Sequence, residues 1–185
     1  MRIIAGKYRG RRLTSFRGQR LRPTADRVRE AIFSILGNDL SGNRVLDLFA
    51  GTGAMGLEAL SRGAAFVVLA EQHPAALRLI ARNVAALGDP EQVTVRKLDL
   101  SRGLRGLAQQ GWQFDLVFLD PPYHLGLTES CLRDLGGGSL LAARATVVSE
   151  QAVDENPAPA YGCLQLQDRR RYGSTAVGFY HREQK

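Results

Sequence analysis

The spacing of apolar positions changes along this chain. Short apolar runs at Asn43–Ala50, Val67–Ala70, Gln92–Leu98, Phe114–Leu119 and Ala145–Glu150 have the length of buried strands. Between them, Leu57–Gly63, the set Leu77, Ile80, Ala81 and Val84, the segment around Leu104, Leu107 and Ala108, and Leu127–Leu135 read as helices. Strand and helix alternate, so the pattern predicts an α/β fold with a doubly wound sheet whose ligands sit beyond the carboxyl ends of the strands. Leu164–Gln167 and Ala176–Tyr180 predict a terminal antiparallel strand pair. Near the N-terminus, Thr24 fits an N-cap and Asp26 the first turn of a helix with Val28, Ala31, Ile32, Ile35 and Leu36 on one face and Gly37 at its end. Before it, Arg2–Ser15 forms two short segments around Gly6 and Gly10 and predicts a small β-hairpin. The expected organisation is a basic hairpin arm over residues 1–22, joined by Phe16–Pro23 to a sheet domain over 23–185. Asp154–Pro159 reads as a loop, and Arg169-Arg170-Arg171 as a turn before the last strand.

Charge adds a partner to this picture. The 185 residues are 44% hydrophobic and 23% charged, which suits a globular domain, and carry a net charge of +7. The excess is uneven: Arg2, Lys7, Arg9, Arg11, Arg12, Arg17, Arg20 and Arg22 all precede the first acid, Asp26. Such an arm suits the phosphates of a polyanion, which give affinity and position but not sequence choice. Cys131 and Cys163 are far apart, and His73, His124 and His181 are scattered, so no metal site is expected. The cysteine usage fits a reducing cytoplasm, and neither a signal peptide nor a membrane span is expected. The size makes a monomer the default.

Two strand ends carry candidate chemistry. After the first strand, Gly51-Thr52-Gly53-Ala54-Met55-Gly56 gives G-x-G-x-x-G opening a helix, the context a nucleoside cofactor requires. Glu71, about 20 residues beyond Gly51, ends the second strand and is placed to accept from ribose hydroxyls. This suits NAD or S-adenosylmethionine alike. Asp99, ending the third strand, either accepts from an adenine amino group or caps the next turn. The fourth strand ends in Asp120-Pro121-Pro122-Tyr123. Two prolines end sheet pairing and stiffen the exit. A carboxylate, a carbonyl and an aromatic ring then stand at one tip, a set that suits a flipped-out base carrying an –NH2 group. Hydride transfer does not need that tip, whereas methyl transfer to an amine does.

With these residues in view, the chain resembles the class I S-adenosylmethionine-dependent methyltransferases, and within them the RsmD family. That family methylates the exocyclic N2 of a guanine in bacterial 16S ribosomal RNA. The resemblance is carried by Met1–Leu13, Leu21–Phe33 with its Arg-Pro-Thr-x-Asp-Arg-Val-Arg-Glu core, Asp47–Ala64, Asp120–Tyr123 and Arg171-Tyr172-Gly173-Ser174-Thr175. It implies a Rossmann-like methyltransferase sheet over 23–185 and an RNA-binding extension over 1–22. The implied cofactor-binding set is Asp47, Phe49, Ala50, Gly51, Thr52, Gly53, Gly56, Glu71, Asp99 and Leu100, with S-adenosylhomocysteine as product and no metal. Asp120, Pro121, Pro122 and Tyr123 are the implied catalytic residues. Arg2, Lys7, Arg9, Arg11, Arg12, Arg22 and Arg29 are the implied RNA contacts, and the resemblance puts Asp26 and Arg29 near the cofactor and target. The expected partner is 16S RNA, in the small subunit or an assembly intermediate. Adenine N6 in DNA, a protein glutamine amide and a non-catalytic RNA-binding role are the competing readings, with NAD-dependent oxidoreduction a distant one.

Overall fold

A computed structural model describes residues 1–16 and 23–183, and of residues 23–25 only the backbone. Arg17, Arg20, Arg22 and most of the connection before Pro23 lie outside the described residues. The chain divides into two units, Met1–Lys97 and Leu98–Lys185.

The first unit holds helix α1 (Pro23–Leu36), strand β1 (Arg44–Leu48), helix α2 (Ala54–Ser61), strand β2 (Phe66–Glu71), helix α3 (Pro74–Ala86) and strand β3 (Val93–Lys97). The strands run parallel in the order β3-β2-β1, with Val45 opposite Val67 and Val67 opposite Val93. Val45, Leu46, Val67, Val68, Leu69 and Ala70 are fully buried, as expected of parallel strands covered on both faces. In β3, the outer strand of this unit, Val95, Arg96 and Lys97 are exposed, and the charges guard the edge. Helix α1 begins at Pro23, so Thr24 lies inside it. Its packed face is Val28, Arg29, Ile32 and Phe33, while Ile35, expected inward, is 36% exposed. Phe33 is fully buried, and the Arg62 guanidinium lies over its ring, 4.6 Å from the centroid.

The N-terminal hairpin is minimal. Arg2 and Arg12 form one antiparallel bridge, the Ile3 N–H donates to the Arg11 carbonyl (3.0 Å), and the Leu13 N–H donates to the Met1 carbonyl (3.0 Å). Ile3 and Leu13 are buried. The docking is polar and centred on α2. Glu58, fully buried, accepts from the N–H groups of Ile4 (2.7 Å) and Ala5 (3.0 Å) and from Arg62 Nε (2.9 Å). Ser61 accepts from the Lys7 N–H at its carbonyl (2.7 Å) and from the Tyr8 N–H at its hydroxyl (2.9 Å).

The second unit holds a 3-10 turn at Leu100–Arg102, helix α4 (Arg105–Ala108), strand β4 (Phe114–Leu119), helix α5 (Leu127–Gly137) and strands β5 (Leu141–Ala152), β6 (Ala160–Tyr161), β7 (Leu164–Tyr172) and β8 (Thr175–Arg182). The order is β4-β5-β8-β7-β6, with β4 and β5 parallel and the rest antiparallel. The expected terminal pair is β7 and β8, and β6 adds a third short strand. Arg169, Arg170 and Arg171 lie in β7, paired with Gly178, Val177 and Ala176, and not in a turn. Strand pairing to β8 carries the extended backbone through the basic run, and the reversal falls at Gly173-Ser174.

Candidate functional site

In the first unit, the end of β1 builds a loop around two carboxylates. Phe49 takes a left-handed backbone (φ 61), as do Gly51 and Gly53. Asp47, only 3% exposed, accepts from the Gly56 N–H through Oδ2 (2.9 Å) and ties the loop to the first turn of α2. Burial pushes the Asp47 carboxyl up to about 7; the Gly56 N–H opposes that shift and the Glu71 charge adds to it. Gly56 is required by packing: a Cβ there would lie 2.4 Å from Leu69 Cδ2 and 2.9 Å from Val67 Cγ1. This matches the third glycine of a nucleoside-binding loop, which permits close helix–strand approach.

Glu71 is buried at the end of β2. Its Oε2 accepts from the Gly51 N–H (3.0 Å), and its Oε1 from the N–H groups of Gln72 (2.6 Å) and His73 (2.8 Å). These bonds fix the carboxylate against the loop. A carboxylate has about four acceptor positions, so capacity remains for a ribose hydroxyl. Asn83 of α3, fully buried, completes the cradle. Its Nδ2 donates to the carbonyls of Thr52 (2.8 Å) and Thr14 (3.0 Å), and its Oδ1 accepts from the Thr14 N–H (2.7 Å). Asp47, Phe49, Ala50, Gly51, Thr52, Gly53, Gly56 and Glu71 are thus brought together around one loop of this unit.

In the second unit, β4 stops at Leu119, and Asp120 and Pro122 are exposed while Pro121 is buried. The Tyr123 hydroxyl donates to Glu150 Oε1 (2.8 Å) and lies 3.3 Å from Thr175 Oγ1. Burial pushes the phenol upward and likewise raises the Glu150 carboxyl, whose shift the Tyr123 hydrogen bond opposes. The half-buried ring therefore has its edge fixed by β5 and the start of β8. His124 adopts a left-handed backbone (φ 60), and its N–H donates to Glu155 Oε1 (2.9 Å). Glu155 Oε2 accepts from the Ala152 N–H (2.9 Å), so one carboxylate ties the tip to the end of β5. Phe49, immediately after β1, and His124, in the turn that follows Asp120–Tyr123, have positive φ, as does Asp89 among the described residues.

Asp99 caps the 3-10 turn: its Oδ1 accepts from the Ser101 N–H (3.1 Å) and hydroxyl (2.6 Å), and Oδ2 pairs with Arg102 Nε (3.1 Å). These bonds hold the carboxyl below its usual range, the Ser101 hydroxyl contributing most. Leu100 is buried behind it. Arg2, Lys7, Arg9, Arg11 and Arg12 are exposed on the hairpin, whereas Arg29 is 5% exposed, beneath it. Arg22 lies outside the described residues. Among the described residues, no group of three or more His, Cys, Asp or Glu is arranged to hold a metal ion, and no helix is long and apolar enough to cross a membrane.

Sequence reading gave no role to Glu58, Asn83, Glu150, Thr175 or Glu155. Glu150 carried a signal, an acid closing an apolar strand run as Glu71 does, while Glu58 and Thr175 stood only within segments that carry the family resemblance.

The family described as conserved hypothetical protein 95 matches residues 1–181. Ribosomal RNA small subunit methyltransferase D of Escherichia coli strain K12 is 37% identical over 183 residues, covering 99% of this chain and 90% of that protein. The solved structure of yhhF from Escherichia coli is 36% identical with a TM-score of 0.84, covering 100% of this chain and 99% of that one. A solved Haemophilus influenzae protein is 31% identical with a TM-score of 0.81, over 99% and 98% of the two chains. The match runs from the hairpin through β8 and leaves neither unit out. The chain belongs to the RsmD family and has its Rossmann-like α/β methyltransferase fold.

Proposed function

We propose that this protein transfers a methyl group from S-adenosylmethionine to the exocyclic N2 of a guanine in 16S ribosomal RNA, in the small subunit or an intermediate of its assembly. The observation that carries the reading is the tip Asp120–Tyr123, where Tyr123 is held by Glu150 and Thr175. A stacking platform held at its hydroxyl keeps its ring face available to a base.

The first unit supplies the cofactor residues. The Gly51–Gly56 loop provides close backbone approach; α2 opens at Gly53, which has no side chain to cap it, and Asp47 takes only the Gly56 N–H, which leaves the earlier N–H groups of the first turn for a polar ligand. Glu71 accepts from the ribose hydroxyls. When bound, S-adenosylmethionine supplies a methyl already electrophilic on its sulfonium. The second unit handles the nucleophile, a nitrogen whose lone pair is delocalised into the base. Asp120 and the Pro121 carbonyl accept its two N–H bonds, which favours a pyramidal nitrogen and directs its lone pair. The amine proton becomes acidic only as the N–C bond forms, so Asp120 need not be a strong base at the start of the reaction. Tyr123 stacks on the base, and positioning provides most of the rate enhancement. Unstacking costs a few kcal/mol, less for a base already in a loop. The exposed hairpin cations bind phosphates and hold the RNA without selecting sequence.

The test is transfer of radiolabelled methyl with three acceptors in parallel: small subunits from cells lacking the enzyme, protein-free 16S RNA, and double-stranded DNA. Label recovered as N2-methylguanine from either RNA sample is the expected result. Label confined to DNA would move the target to adenine N6. Asp120→Ala should abolish transfer with cofactor affinity within a few-fold, and unchanged turnover would remove Asp120 from the chemistry.

A further inference from the structure

The turn that follows Asp120–Tyr123 presents one apolar side chain to solvent. Leu125 is 65% exposed, against 36% and 38% for Ile35 and Val95, the other exposed large apolar residues among those described. Exposure of one leucine is ordinary by itself; the setting distinguishes this one. Leu125 stands between two residues with left-handed backbone, His124 (φ 60) and Gly126 (φ 68), where the chain passes from Tyr123 to α5. Both ends of that turn are fixed. The His124 N–H donates to Glu155 Oε1 (2.9 Å), and its ring meets the Tyr123 ring edge-on, with 6.4 Å between centroids and 88° between planes. Gly126 is the N-cap of α5, and its carbonyl accepts from the Ser130 N–H (3.1 Å). Arg169 of β7 ties down the segment that carries Glu155. Its Nη2 donates to the carbonyls of Glu155 (2.8 Å) and Val153 (3.2 Å), and its Nη1 to Asn156 Oδ1 (3.3 Å). An apolar group is thus held in water on a braced turn. Tyr123 lies two residues away, a span of at most about 7 Å, so Leu125 is within reach of the nucleotides flanking a base stacked on that ring.

We propose that Leu125 is an apolar wedge that enters the RNA stack beside the target guanine and fills the space the base leaves when it turns onto Tyr123. The inference rests on the reading of the protein as an RNA methyltransferase acting at Asp120–Tyr123, and adds to it the group that keeps the base out. Turning a base out of its stack exposes the faces of its neighbours to water. Leucine has no side-chain donor or acceptor, so it restores apolar contact to those faces and buries its own exposed surface in doing so. Because the turn is braced before RNA arrives, little ordering remains to be done on binding. The wedge is uncharged, so it acts on the extrusion of the base and not on the capture of phosphates.

Methyl transfer by full-length wild type, Leu125→Ala and Leu125→Met is measured on small subunits from cells lacking the enzyme and on protein-free 16S RNA. Leu125→Ala is expected to lower kcat by roughly tenfold or more, with KM for RNA and cofactor affinity within a few-fold. Leu125→Met keeps an apolar side chain of similar volume and should retain most of the rate. Because the side chain is exposed, the urea midpoint of Leu125→Ala should match that of the wild type. Wild-type kcat in Leu125→Ala, or an equal loss in Leu125→Met, would overturn the proposal. A lower urea midpoint or weaker cofactor binding in Leu125→Ala would overturn it in favour of a structural role in the turn. A loss on small subunits with wild-type kinetics on protein-free RNA would overturn it in favour of a protein contact. A wild type that binds cofactor but labels neither RNA acceptor would instead refute the functional reading itself.

Discussion

Replacing Gly6 by alanine tests whether the hairpin is held by its close approach to α2. Gly6 has φ +81, and a Cβ there would lie 1.7 Å from the Ser61 carbonyl oxygen and 2.3 Å from its carbon. That carbonyl is fixed by α2 and accepts from the Lys7 N–H. The clash therefore moves the hairpin, not the helix. The displaced segment carries the Ile4 and Ala5 N–H groups, which would leave the buried Glu58 carboxylate with Arg62 alone. Left-handed strain costs about 1–2 kcal/mol for alanine. Losing partners from a buried carboxylate raises the total to roughly 3–5 kcal/mol, a large share of a typical 5–15 kcal/mol stability. Gly10 is the internal control: its φ is +83, but no atom lies within 4 Å of its Cβ position. Gly10→Ala should therefore cost only the strain, about 1–2 kcal/mol. Urea unfolding followed by far-ultraviolet circular dichroism measures both variants, and RNA binding by Gly6→Ala should fall in parallel. Equal destabilisation by the two substitutions would refute the docking argument.

Two further outcomes follow from the carboxylates. Because Asp47 in the folded state is raised to about 7, above the unfolded value of about 3.9, the folded protein holds a proton between those values that the unfolded chain has released. Stability from this group is present below the unfolded value and is lost as pH rises through about 7, by up to about 4 kcal/mol. Asp47→Asn should flatten that decline in urea-unfolding profiles from about pH 4 to 8, and parallel profiles would contradict the assignment. Tyr123→Phe removes the hydroxyl that Glu150 accepts and should lower kcat/KM about tenfold, a loss of about 1.4 kcal/mol. Glu150→Gln keeps an acceptor and should retain most activity; wild-type kinetics in Tyr123→Phe would show that the hydroxyl does not set the ring.

Local pattern exposed some parts of this molecule and concealed others. Apolar runs at Val45–Leu48, broken only by Asp47, and at Phe66–Ala70 mark strands covered on both faces, and the glycine spacing after β1 follows from the close packing of Gly56 against Leu69. The Asp-Pro-Pro-Tyr tip was equally plain, because proline ends a strand by its own covalent structure. What could not be read were side chains whose partners are distant in sequence. Glu58 looks like an ordinary helix acid until it meets the N–H groups of Ile4 and Ala5, and Asn83 reaches Thr14 and Thr52 from a helix whose periodicity gives no hint of it. The basic run of β7 was misplaced for the same reason: its extended form comes from pairing with β8. Arg29 was visible as a cation, but its burial depends on how α1 packs beneath the hairpin.

The bridge made by Glu155 changes how natural variation in this protein should be interpreted. Residues 153–159 contain two prolines, lie outside any helix, and would be scored as tolerant linker in a survey of variants. Yet one side chain from that stretch holds both His124 and Ala152. A length change or a charge loss there would reach the turn after Asp120–Tyr123 from more than thirty positions away in sequence. Relatives that differ in this linker are therefore candidates for differences in turnover, and attempts to retarget the enzyme by redesigning Asp120–Tyr123 alone would leave the Glu155 bridge unaltered.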